Sequence, residues 1–117
     1  MVPSMQSAAT ALTAFQKKLN VTADNIANVN TDEFKKTRVT MKEGENGGVE
    51  AETQQIETRG YIKRDQESGI TRETESSNVD LPEEMVELTL SRRGCETNLK
   101  SIQTSDEMLG SLLDILG

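Results

Sequence analysis

A chain of 117 residues that is one-third hydrophobic, with three aromatics and no tryptophan, has material for one small domain at most and for no large single core. Its 20 acidic against 13 basic side chains leave a net charge of −7, which argues against a nucleic-acid partner, and the absence of histidine removes imidazole triads, proton shuttles and metal ligands. The charge is uneven: residues 1–42 carry six basic and three acidic groups, 43–77 four and nine, and 78–117 three and eight, so the two ends attract each other weakly and in a salt-dependent way.

In chain order, Met1 to Pro3 are expected to be loose, with Ser4 capping a helix that runs to about Ala27. Met5, Ala8, Leu12, Phe15, Leu19, Thr22 and Ile26 alternate spacings of three and four and are apolar at six of seven positions. That is the pattern of a heptad helix, roughly 35 Å long at 1.5 Å per residue. Ala9, Ala11, Ala14 and Ala23 add helix propensity and a thin surface that lets a neighbour approach closely. The helix ends among Asn25, Asn28 and Asn30. Asparagine tolerates the left-handed conformation of a C-cap and bonds to nearby backbone, so these three are expected to stop the helix and fix its exit angle.

Short alternating runs follow at Arg38–Lys42 and Val49–Ile56, with further strands around Tyr61–Arg64 and Ile70–Thr74. Glu43–Gly48, Arg59-Gly60 and Glu67-Ser68-Gly69 read as turns. Apolar residues are few here, and isolated hairpins are marginal in water, so this segment needs support from helices or a partner. Glu73 to Asn78 reads as a polar linker.

The last third opens with a capping box, Asp80 accepting from the Glu83 N–H and Glu83 reaching back, with Pro82 in the first turn. Leu81, Leu88, Cys95, Ile102, Leu109 and Leu116 then share one heptad position, and Met85, Arg92, Leu99, Asp106 and Leu113 share its companion. From Leu81 to Leu116 such a helix spans roughly 54 Å, too long for the core of so small a domain. Its stripe must find a partner helix. Cys95 falls on that stripe and is expected to be a buried small hydrophobe between helices. Glu83-Glu84 and Asp106-Glu107 are adjacent on the helix, hence about 100° apart, and read as solvated faces rather than paired catalytic or metal-binding carboxylates. With no GxGxxG or P-loop pattern either, the chain is expected not to be an enzyme and to hold no cofactor or metal. Neither a cleaved signal peptide nor a membrane span is expected from the sequence.

The expected fold class is mainly α. Heptad helices at residues 1–31 and 78–117 form a coiled-coil pair, within the chain or between subunits, around a short hairpin-rich middle at 32–77.

Two stretches carry a resemblance. Leu12–Thr31 followed by Phe34-Lys35 looks like the N-terminal signature of rod and hook proteins. Ser77–Val86, then Arg93, Asn98 and Ile102–Leu109, looks like the matching C-terminal signature. In this order the pair resembles the flagellar basal-body rod protein family, and the short middle segment is similar to its proximal-rod, FlgC-like members. The family usually has a glycine where Glu33 stands, and a small residue and an aromatic where Gly94 and Cys95 stand. The resemblance implies a structural subunit that leaves the cell through the flagellar type III channel without a cleaved signal and polymerises in the periplasm. Its partners would be itself and other rod, hook-basal-body and export-gate proteins, with no nucleic acid and no membrane insertion. Leu12, Phe15, Leu19, Ile26, Leu81, Met85, Leu88, Cys95, Leu99, Ile102, Leu109 and Leu113 are the expected subunit-packing residues, and Asn25, Asn28 and Asn30 the helix-exit motif. A secreted coiled-coil module or export adaptor, stopping at a small oligomer, explains the heptads equally well. It does not explain why the asparagine-rich exit and the acidic helix start occur together.

Overall fold

The computed structural model describes residues 2–117. Helix α1 spans Val2–Ala27, strands β1 to β4 span Thr37–Glu43, Val49–Gln55, Ile62–Glu67 and Ile70–Glu75, and helix α2 spans Leu81–Leu116. The four strands form two separate antiparallel hairpins, β1–β2 and β3–β4. The expected strands are thus present, and so are the turns before Val49 and at Ser68-Gly69, whereas Glu43 belongs to β1 and Arg59-Gly60 lies in an irregular connection rather than a turn. The expected linker is shorter, because Glu73 to Glu75 belong to β4.

The N-terminus differs from expectation. Val2 and Pro3 are helical rather than loose, and Pro3 is tolerated in the first turn because its missing N–H would have had no partner there. Ser4 therefore lies inside the helix, and Met1 lies outside the described residues.

The two helices pack on each other antiparallel within the chain: Asn25 meets Glu84, Lys18 pairs with Glu87 at 2.9 Å, and Phe15 lies over Gly94. On α1 the expected stripe faces inward, with Ala11 and Ala14 among the buried residues. Thin alanines let α1 bury a second side under β1–β2, where the Thr10 hydroxyl accepts from the Val49 N–H at 3.0 Å and Lys17 donates to the Ala51 carbonyl. Val39, Met41, Val49 and Ala51 are the half-buried inner residues of that hairpin. Hairpin β3–β4 packs on no other element among the described residues, and all of β3 is exposed. The molecule is accordingly drawn out, 83 × 24 × 15 Å.

On α2 one expected heptad position lies in the seam and the other does not. Leu88, Cys95, Ile102 and Leu109 are half-buried, but their partners in the seam are Glu84, Ser91, Asn98 and Ser105. Met85, Leu99 and Leu113, on the companion position, are 57%, 53% and 68% exposed. Residues 84 and 91 sit one position before 85 and 92, and the register is set by what α1 tolerates. Its alanines come too close for a row of large side chains, and Glu84 has its own partners inside.

Two residues at unusual places explain local geometry. Glu33 has φ +61°, the left-handed region, and its N–H donates to the Glu75 carbonyl at 2.8 Å. A β-carbon at Gly94 would lie 2.4 Å from the Phe15 ring, so the ring rests on bare backbone. The departures noted at these two positions thus have opposite characters. Glu33 holds a glycine-type conformation at a cost of roughly 1–2 kcal/mol, whereas Gly94 is required by its neighbour. Glu33→Gly should therefore raise stability by about 0.5–1 kcal/mol. Gly94→Ala should lower it by about 1 kcal/mol despite alanine's better helix propensity, because overpacking outweighs that gain. Urea unfolding of the two variants beside the parent chain checks both signs.

Candidate functional site

The most enclosed part of the molecule is polar. Asn25, Glu84 and Ser91 are fully buried. Asn25 stands in the last turn of α1, where its side chain faces the start of β1 and the start of α2. Its Nδ2 donates to the Thr37 carbonyl at 2.8 Å and to Glu84 Oε2 at 3.2 Å, while its Oδ1 accepts from the Thr37 N–H at 3.0 Å. The amide thus pairs with Thr37 as a neighbouring strand residue would. Glu84 Oε1 takes Arg38 Nη1 at 2.5 Å, and Arg38 Nη2 lies 2.6 Å from Glu83 Oε1. That second contact is a close charge pairing without the alignment of a hydrogen bond. Lys36 approaches Glu83 from the other side at 3.4 Å.

A second asparagine completes the junction. Asn78 accepts from the Lys36 N–H at 2.7 Å and donates to the carbonyls of Ile56 and Thr58, each at 2.8 Å. Two side-chain amides therefore hold the entry to β1, Asn25 from α1 at Thr37 and Asn78 from the segment before α2 at Lys36. Nearby, Lys35 pairs with Glu75, and Glu75 Oε1 also accepts from the Gly60 N–H at 3.0 Å. The Lys35 hydrogen bond and the Gly60 N–H hold the Glu75 carboxyl below the usual glutamate range. Burial opposes ionisation of Glu83, but the charges of Arg38 and Lys36 win and its pKa is lowered.

Several expectations change here. The capping box does not form: Asp80 makes no side-chain cap bond, and Glu83 is engaged by Arg38 and Lys36 instead. Glu84 is not on a solvated face but at the centre of the junction. No asparagine of the exit is left-handed; Glu33 supplies that conformation. Asn28 is the local helix stop, donating to the Asp24 carbonyl at 2.8 Å and accepting from the Thr31 hydroxyl at 3.0 Å. Asn30 is exposed. Of the named packing residues, Leu12, Phe15, Leu19, Ile26, Leu88, Cys95, Ile102 and Leu109 are half-buried, while Leu81, Met85, Leu99 and Leu113 are exposed. Burial pushes the Cys95 thiol up, helped by Glu96. Sequence reasoning missed Arg38, Glu84 and Asn78, and an unbalanced Glu-Glu pair at a helix start was the available signal. Among the described residues no group of acidic or cysteine side chains is placed to hold a metal, and no helix is long and apolar enough to cross a membrane.

Residues 5–35 match the family described as flagella basal body rod protein, and residues 72–115 match the C-terminal family of the flagellar basal body rod FlgEFG proteins. The chain belongs to the flagellar basal-body rod protein family. It is 51% identical over 43 residues to the flagellar basal-body rod protein FlgG of Bacillus subtilis, a stretch covering 37% of this chain and 16% of that protein. To FlgG of Borreliella burgdorferi it is 56% identical over 36 residues, 31% of this chain and 14% of the relative. The matches therefore span a small fraction of either relative. Asn25 falls in the first family match and Glu84 in the second, while Thr37 and Arg38 lie between them. The polar junction thus ties both family segments of this rod-family chain to the strand that separates them.

Two outcomes test the junction. Asn25→Ala leaves the part-buried Thr37 N–H and carbonyl and one buried Glu84 oxygen without their partner. It should cost about 2–3 kcal/mol in urea unfolding, against less than about 0.5 for Asn30→Ala. Glu75 and Glu83 bind a proton less readily folded than unfolded, so the unfolded chain takes up more protons as pH falls. Their stabilisation should be complete above the ordinary glutamate value of 4.5 and be lost as pH drops below it, measured as a falling urea midpoint.

Proposed function

We propose that this chain is a structural, non-enzymatic subunit of the bacterial flagellar basal-body rod, exported through the flagellar type III channel and polymerised in the periplasm through its terminal helices. One observation carries the proposal. The two stretches that match rod families hold nearly all of the two helices, and those helices fold against each other as one unit. The exposed heptad residues Leu81, Met85, Leu99 and Leu113 are surface available to neighbouring subunits, which would include other rod and hook-basal-body proteins. Leu12, Phe15, Leu19 and Ile26 hold the unit together from inside. The short middle segment, with a free β3–β4 hairpin, supports a proximal, FlgC-like place in the rod, although the relatives found are FlgG proteins.

Deleting the gene in its flagellated host and imaging purified hook-basal bodies tests this. Rods should be missing or truncated, export of later flagellar proteins should stall, and the plasmid-borne gene should restore both. Complete rods and normal swimming in the deletion strain would overturn the proposal.

A further inference from the structure

The exposed heptad position of α2 is symmetric in pattern about its centre, apolar at the middle and both ends and oppositely charged at the two positions between. Met85, Arg92, Leu99, Asp106 and Leu113 are seven residues apart, with Leu99 in the middle. Met85 and Leu113 are each fourteen residues from Leu99, roughly 21 Å, and Arg92 and Asp106 are each seven, roughly 10 Å. All five are exposed, on a flank of α2 that neither α1 nor a hairpin covers.

We propose that this flank pairs with the same flank of a second copy, antiparallel, with Leu99 on the two-fold axis. In that register Met85 meets Leu113 of the second copy at both ends, and Arg92 meets Asp106 twice. The parallel alternative puts Arg92 against Arg92 and Asp106 against Asp106, so like charges reject it. Leucine and methionine provide the buried surface, and the two charge pairs choose direction and register. The present partner of Arg92 is Glu96, an exposed i,i+4 contact at 3.3 Å that is weak enough to be exchanged. A seven-residue repeat drifts about 20° per heptad on a straight helix, so the two flanks stay in contact at a shallow crossing angle near 20°.

The proposal goes beyond the rod reading and does not depend on it. An isologous contact closes on itself, whereas a rod needs contacts that propagate. Two copies paired in this way withhold Met85, Leu99 and Leu113 from any third, so the dimer is a soluble form that competes with assembly.

Sedimentation equilibrium of the full chain should show a monomer–dimer equilibrium. Arg92→Asp and Asp106→Arg should each weaken it about tenfold or more, and the double variant Arg92→Asp/Asp106→Arg should recover most of the loss. In a Cys95→Ser background, Leu99→Cys should oxidise to a self-linked dimer, while Lys100→Cys, turned off the flank, should not. Met85→Cys and Leu113→Cys should cross-link with each other in a mixture and with neither alone. A chain that stays monomeric at its highest soluble concentration, a double charge variant no better than either single one, or Leu99→Cys linking no faster than Lys100→Cys would each overturn the proposal. Failure of the rod reading would appear separately, as intact rods in the deletion strain.

Discussion

The buried pairing of Asn25 with Glu84 and Thr37 is the constraint on which the rest of the molecule depends. A fully buried carboxylate is tolerable only where a cation and hydrogen bonds meet it, and here each comes from a different element. Asn25 comes from the end of α1, Arg38 from β1, and Glu84 from the first turns of α2. None of these is satisfied unless all three elements are in place. The junction therefore acts as a register pin. It fixes where α2 starts along α1, and everything beyond it, including the contact between Phe15 and Gly94, follows at helical intervals.

This pin also explains why the sequence was only half legible. The helices, strands and turns followed from periodicity and turn residues, which are local signals. So did the inward stripe of α1, from Met5 to Ile26. The companion stripe of α2 was expected at Met85, Arg92, Leu99, Asp106 and Leu113, but the less apolar neighbouring position of Glu84, Ser91, Asn98 and Ser105 is the one that faces α1. The choice was made by a long-range polar contact with no trace in the spacing of hydrophobic residues. Asn25 was picked out, but as a helix stop. Its role needed a strand residue, Thr37, twelve positions on, and a carboxylate 59 positions on. Glu83 and Glu84 were misread for the same reason: adjacency on a helix says that they point apart, not that one of them points inward.

The seam between the helices is built from alanine, serine, glycine and asparagine as much as from leucine. Small residues let the backbones come close, so that dispersion contacts and side-chain bonds to helix carbonyls substitute for a thick hydrophobic layer. Ser91 bonds to the Glu87 carbonyl at 2.7 Å and Asn98 to the Gly94 carbonyl at 2.8 Å, which satisfies both groups within α2 itself. Such a seam is specific about distance and register but buries little apolar area. The monomer is stabilised accordingly by few large side chains.

That distribution has a consequence for assembly. The large apolar residues of α2 lie mostly outside: Met85, Val86, Leu90, Leu99 and Met108 along its length, and Leu112 to Leu116 at its end. A protein selected only to fold alone would place them inward, since each fully buried leucine or methionine contributes roughly 1.5–3 kcal/mol. Outward placement leaves that contribution available for the contacts between chains that the proposed rod role requires. The acidic surplus of the same helix opposes indiscriminate contact, because two copies brought together at random meet as like charges. Only arrangements that set Arg92, Arg93 or Lys100 against the acidic residues escape that penalty. The number of ways to bury the outer stripe without that penalty is thereby small, which fits the ordered assembly proposed for this chain.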